Sequence, residues 1–144
     1  MHLLVNKMII PLFLRIMSIM GLFISFYFLC AKSGWFPKFV KNMPLCEGNT
    51  CIRVSDSKYG KMFGIPNYIF GMIYYIAILL FSLFSFLNAD KNVYYFLLVM
   101  SWSTILLVVY LTYALLVKLK TVCVPCFVLH GINVGIAALL SLMI

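Results

Sequence analysis

Charge is what this chain has least of. Three acidic side chains, Glu47, Asp56 and Asp90, stand against eleven lysines and arginines, and charged residues fill 10% of the 144 positions. Hydrophobic residues make up 65% and the mean hydropathy is +1.12. Together these values exclude a soluble globular domain. Polar stretches are missing outside a single loop, so no soluble module and no nucleic-acid partner are expected.

What is present is apolar sequence in lengths that fit a bilayer. A span needs about 20 mostly apolar residues, and four stretches qualify, at 11–31, 66–87, 93–117 and 122–143. Backbone groups in lipid must be satisfied within their own segment, and these runs are too long for strands, so they are predicted to be helices. The expected fold is an all-α integral membrane protein, one four-helix bundle over residues 1–144. The first stretch has a basic flank in Lys7, but it is long for a signal peptide and no small-x-small cleavage site follows it. Leu29 before Cys30 is bulky where a lipoprotein signal requires a small residue. The segment is therefore expected to be a retained span.

The connections differ in length. The loop at 32–65 carries Lys32, Lys38, Lys41, Arg53, Lys58 and Lys61 against Glu47 and Asp56, whereas the second link is a tight turn near 88–92 and the third is Lys118, Leu119 and Lys120. Long ordered loops in compact folds are usually functional. Within this one, Trp35, Phe36, Phe39 and Val40 recur at helical spacing opposite Lys38, Lys41 and Asn42, which predicts a short amphipathic helix in the headgroup region. An aromatic interfacial anchor is a compatible reading.

Four of the five cysteines form two close pairs, Cys46-Glu-Gly-Asn-Thr-Cys51 in the long loop and Cys123-Val-Pro-Cys126 at the start of the last span. With four spans, both pairs lie on the same side of the bilayer whichever way the chain inserts, an arrangement that suits a relay of thiols. Thr121 is a plausible N-cap, which puts Cys123 in the first turn and Pro125 where a missing N–H costs little. The positive potential of a helix N-terminus favours thiolate, and C-x-x-C pairs are a recurrent setting for lowered thiol pKa. Cys30, alone in the first span, is expected to be inert in lipid. The spacing of the four paired cysteines also suits a structural zinc, or staples in a non-enzymatic membrane subunit.

Polar residues on two helices extend the pattern. Cys123, Cys126, His130 and Asn133 follow 3-4-3 spacing and share one face of the fourth helix. Polar groups inside a span normally face the bundle interior. Both His130 and Asn133 are open to a direct role or to plain interhelical hydrogen bonding. On the second helix, Asn67, Phe70, Gly71 and Tyr74 share a face. An amide donor, aromatic walls and a glycine would suit a flat apolar molecule with carbonyl oxygens, such as a quinone; aromatic packing with Asn67 as a cap is the alternative.

These residues resemble those of the vitamin K epoxide reductases and their bacterial homologues. The resemblance runs through the loop pair, Arg53-Val54, Ser57, Tyr59-Gly60, Phe63-Gly64, Asn67-Tyr-Ile-Phe-Gly71 with Tyr75, and Cys123-x-x-Cys126 followed by Ile132-Asn133. It implies a four-helix bundle around a quinone (menaquinone, ubiquinone or vitamin K), with no metal, and loop cysteines that take electrons from a thioredoxin-fold partner. By that resemblance, Cys46 meets the partner, Cys51 exchanges with Cys123, and Cys126 lies against the quinone. Asn67 and His130 then hydrogen-bond the carbonyls, Phe70 and Tyr74 wall the site, and Ser57 and Tyr59 support it from the loop. Two positions depart from the animal pattern: His130 stands where the animal enzymes have a tyrosine, and four residues separate Cys46 from Cys51 instead of seven.

The expected activity is that of a quinone-linked thiol-disulfide oxidoreductase supporting disulfide formation. Vitamin K epoxide or quinone reduction at the same site is the nearest rival. A second membrane oxidase family, DsbB, also couples two cysteine pairs to quinone but carries the C-x-x-C pair first, the reverse of the order here. The expected location is a bacterial inner membrane with the loop outside, or an endoplasmic reticulum membrane with the loop in the lumen. Counting cations favours the opposite insertion, since Lys7, Arg15 and Lys91 would be inside against eight in the outer loops. The need of disulfides for an oxidising compartment argues for the loop outside.

Overall fold

The computed structural model describes residues 2–33, 57–84, 90–120 and 124–143. Cys46, Cys51, Thr121, Cys123 and the expected interfacial helix of the loop lie outside them. Among the described residues, four helices are long and apolar enough to cross a membrane. Helix α1 spans His2–Ser33 and α2 spans Asn67–Phe84. Helix α3 spans Lys91–Tyr113, and α4 spans Val124–Leu142. Between α1 and α2 a small antiparallel hairpin pairs β1 (Lys61–Met62) with β2 (Ile65–Pro66).

Helix α1 begins well before the predicted start at Pro11. Its first turns, rich in Leu, Val, Met and Ile, are continuous with the span, and Pro11 lies inside the helix. A proline there removes one backbone hydrogen bond and crowds the preceding turn; the helix nonetheless continues through it. Helix α3 ends in a π-helical segment, Ala114–Lys118, closed by the Leu119 N–H on the Ala114 carbonyl at 2.8 Å. That wide turn buries both Ala114 and Leu115, and Leu115 packs with Phe28 and Tyr68 in a cluster near the hairpin end of the bundle.

The hairpin was not expected in the loop. Its two-residue turn is Phe63-Gly64, with φ of 56° and 79°, the left-handed geometry that suits the twist of a two-residue connection. Glycine takes this conformation freely, whereas Phe63 adopts it with its side chain 92% exposed. The Asn67 N–H bonds the Gly60 carbonyl at 2.8 Å and ties this turn region to the first residue of α2.

Helix α1 packs most extensively against α2 and also against α4, while α3 packs mainly against α4. Close packing therefore runs α2, α1, α4, α3, and the two helices adjacent in sequence, α2 and α3, touch little. The main core joins Leu14 of α1 with Tyr74, Tyr75 and Ile78 of α2, Leu97 of α3, and Ile132, Ile136 and Leu140 of α4. Cys30 is 3% exposed, so it faces protein and not lipid as the sequence suggested. The α1–α2 contact is tight at Gly21, where an added Cβ would lie 2.6 Å from the Tyr75 ring. Lipid offers little hydrophobic drive for helix association, so such close approach supplies the dispersion energy instead.

Gly21→Ala is expected to destabilise the detergent-solubilised protein by about 1–3 kcal/mol, the usual cost of overpacking. Gly131→Ala, where an added Cβ meets nothing within 4 Å, is the control and should leave stability within about 0.5 kcal/mol. Thermal midpoints of the two variants measure the contrast; equal midpoints would mean the α1–α2 contact is slack.

Candidate functional site

The gap between α2 and α3 holds a cavity of about 840 Å³, within the range of small-molecule sites. Its wall gathers Asn67, Phe70, Gly71 and Tyr74 from α2 with Cys126, His130 and Asn133 from α4. The two helical stripes read from the sequence thus face a common space. Helix α3 contributes Phe96, Met100, Leu107 and Leu111, and α1 contributes Ser25 and Phe28. Several wall residues, among them Ile73, Phe96 and Leu106, are also more than half exposed. In a bilayer those faces meet acyl chains, so the cavity adjoins lipid along the α2–α3 gap.

Contacts across the gap bracket the space. The Tyr74 and Ser101 hydroxyls share a hydrogen bond of 2.9 Å between α2 and α3. Nearer the hairpin, Tyr59 and Tyr110 lie ring to ring with centroids 6.4 Å apart. Asn67 and Tyr74 are seven residues apart, about 10 Å along the helix axis at 1.5 Å per residue. Ser57 does not line the cavity; its hydroxyl and carbonyl both accept from the Gly60 N–H, at 3.3 and 3.1 Å, and shape the turn that brings Gly60 to the wall. Lys58 places its ammonium 5.1 Å from the Tyr59 ring.

Each polar residue of the α4 stripe has a distinct environment. Cys126 is half-buried and packs against the cluster of Phe28, Tyr68 and Leu115. His130 Nδ1 lies 3.0 Å from the Thr112 hydroxyl of α3, and its ring meets Phe127 edge to face. Asn133 Oδ1 accepts from the Tyr75 hydroxyl at 2.6 Å. The interhelical bonds offered as the plain reading of His130 and Asn133 are therefore present, and both residues line the cavity as well. Of the four paired cysteines, only Cys126 falls among the described residues.

The family model of the vitamin K epoxide reductases matches residues 12–141. The chain belongs to the vitamin K epoxide reductase family. No curated protein matches it. Membership in this family makes it an integral membrane protein and an oxidoreductase of the quinone-linked redox kind. The cavity fits such a ligand: it is mostly apolar and borders lipid, as a prenylated ring requires. Its wall also includes a few polar groups, among them Ser25, which is fully buried with a hydroxyl that has no hydrogen-bond partner among the described residues.

Reading the sequence alone missed Ser25, Phe28 and the whole α3 wall. Ser25 carried a usable signal, a lone hydroxyl in an apolar helix. The wall residues carried none, because Phe, Met and Leu are what any span presents to lipid.

Tyr75→Phe is expected to cost about 1–3 kcal/mol by leaving the Asn133 carbonyl oxygen unpaired in the interior. Adding Asn133→Leu should cost less than the sum of the single changes, with a coupling of about 0.5–1.7 kcal/mol. A double-mutant cycle of unfolding in detergent measures it, and strict additivity would assign the bond no energy.

Proposed function

We propose that this protein is a quinone-linked thiol-disulfide oxidoreductase, a single membrane domain that reoxidises a thioredoxin-fold partner and so supports disulfide formation in exported proteins. Electrons enter at Cys46 and Cys51 in the loop and pass to Cys123 and Cys126. The observation that carries the reading is Cys126 on the wall of a lipid-bordering apolar cavity that also presents Asn67, His130 and Asn133.

Each transfer between cysteine pairs is a thiolate attack on a disulfide through a mixed-disulfide intermediate. One pair loses two electrons and two protons as its S–S bond forms, and the pair it reduces gains them. A quinone held by Asn67, Phe70, Tyr74 and His130 beside Cys126 would supply the terminal sink for the two electrons and two protons released as the Cys123–Cys126 pair is reoxidised. The chain's own residues bind and orient. Asn67, at the first residue of α2, offers an amide toward the cavity mouth; Phe70 and Tyr74 supply flat apolar wall. The Asn133 amide nitrogen is left to donate, since its oxygen is held by Tyr75. Tyr59 reaches the site through its ring contact with Tyr110 of the wall.

The loop is proposed to face an oxidising compartment, the outside of a bacterial inner membrane, because its thiols must cycle through disulfides. Thiol trapping of Cys46→Ala, Cys51→Ala, Cys123→Ala and Cys126→Ala variants, supplied with ubiquinone or menaquinone and a reduced thioredoxin-fold protein, tests the relay. The Cys126→Ala variant should accumulate reduced partner, with turnover down at least a hundredfold. Reoxidation at the normal rate would remove Cys126 from the terminal step. Turnover of vitamin K epoxide without turnover of the simple quinones would assign the site to epoxide reduction instead. One bound zinc per chain without thiol turnover would make the cysteines structural.

A further inference from the structure

The Thr112 hydroxyl and His130 Nδ1 form a bond of 3.0 Å that joins α3 to α4 beside the cavity. His130 lines the cavity and Thr112 does not. Because the two nitrogens lie on different edges of the imidazole, a ring held through Nδ1 by a residue outside the wall turns Nε2 the other way. The edge-to-face contact with Phe127, centroids 6.0 Å apart, holds the ring plane from a second side.

The direction of the bond follows from counting donors and acceptors. A neutral imidazole has one N–H and one bare nitrogen, and a threonine hydroxyl has one O–H. If Nδ1–H donated to Thr112, the Thr112 O–H would lack an acceptor and Nε2 would lack a donor among the described residues. If Thr112 donates to Nδ1, only the Nε2–H is left over, on the ring edge away from Thr112, and a ligand in the cavity that His130 lines can accept it. Unsatisfied polar groups are costly in a low-dielectric interior, so the second arrangement wins.

We propose that Thr112 is a positioning residue that locks His130 in the Nε2–H tautomer and aims that N–H into the cavity as a hydrogen-bond donor for a quinone carbonyl. The ligand half rests on the function proposed above; the tautomer half does not.

The test uses the full chain in lipid nanodiscs with ¹⁵N-labelled histidine in a His2→Asn background, which leaves His130 as the one histidine. Nitrogen shifts should report the Nε2–H tautomer in this parent and in Thr112→Ser, which keeps the hydroxyl. Thr112→Val, close in shape and without the donor, should give a mixture. An Nδ1–H tautomer in the parent, or unchanged populations in Thr112→Val with an unchanged thermal midpoint, overturns the proposal. Titration with ubiquinone-1 should move the Nε2 resonance, and Thr112→Val should bind it more weakly by the inverse of its remaining Nε2–H fraction, about twofold for an even mixture. A silent Nε2 resonance while the protein still reduces ubiquinone-1 overturns the assigned donor and leaves the oxidoreductase standing. An Nε2–H tautomer with neither binding nor reduction of ubiquinone-1, menaquinone or vitamin K counts against the quinone reading and leaves the Thr112–His130 lock in place.

Discussion

Tyr75 is the piece on which the rest of the bundle is registered. Its ring lies against the bare face of Gly21, where any larger side chain would collide with it, and its hydroxyl is spent on Asn133. One residue of α2 is thereby gripped by α1 through packing and by α4 through a hydrogen bond. Its neighbour Tyr74 reaches the other way, to Ser101 of α3. Two consecutive tyrosines, pointing about 100° apart on a helix, connect α2 to all three other spans.

This arrangement leaves α2 and α3 joined by a few side-chain contacts and otherwise apart, and the cavity is the space they do not fill. Away from the cavity many polar groups of the spans are consumed in pairs, although the buried Ser18 hydroxyl has no hydrogen-bond partner among the described residues: Arg15 donates to the Ser82 carbonyl at 3.0 Å, the Trp102 indole donates to the Ser141 hydroxyl at 3.2 Å, and Tyr94 donates to the Leu140 carbonyl. In a medium without water, each such pair stiffens the bundle by making separation costly. At the cavity wall the Ser25 hydroxyl has no hydrogen-bond partner among the described residues, while Asn133 and His130 each have one atom of the polar group engaged in an interhelical bond. Polar capacity left over beside an apolar volume is what a ligand with carbonyl groups would use.

Much of the site was legible because it lies on regular helices. The stripe Cys126, His130, Asn133 and the stripe Asn67, Phe70, Gly71, Tyr74 follow from 3.6 residues per turn, and both line the cavity. The hairpin was not legible, since its turn places Phe63 where asparagine or glycine is the usual residue. The π-helical end of α3 was hidden for a related reason: Ala114–Lys118 reads as ordinary apolar helix, and nothing in its local pattern marks the wide turn that accompanies the burial of Leu115.

Residue order alone determined the class of the molecule, its four spans and which side chains share a helix face, because hydropathy and helical period are local properties. It did not determine which helices are neighbours. Thr112 looked like one more hydroxyl in a run of leucine, valine and tyrosine, and only the crossing of α3 on α4 made it the partner of His130. The rotation and depth at which two helices meet depend on the summed contacts of many side chains, so the gap between α2 and α3, and with it the cavity, belongs to the tertiary structure.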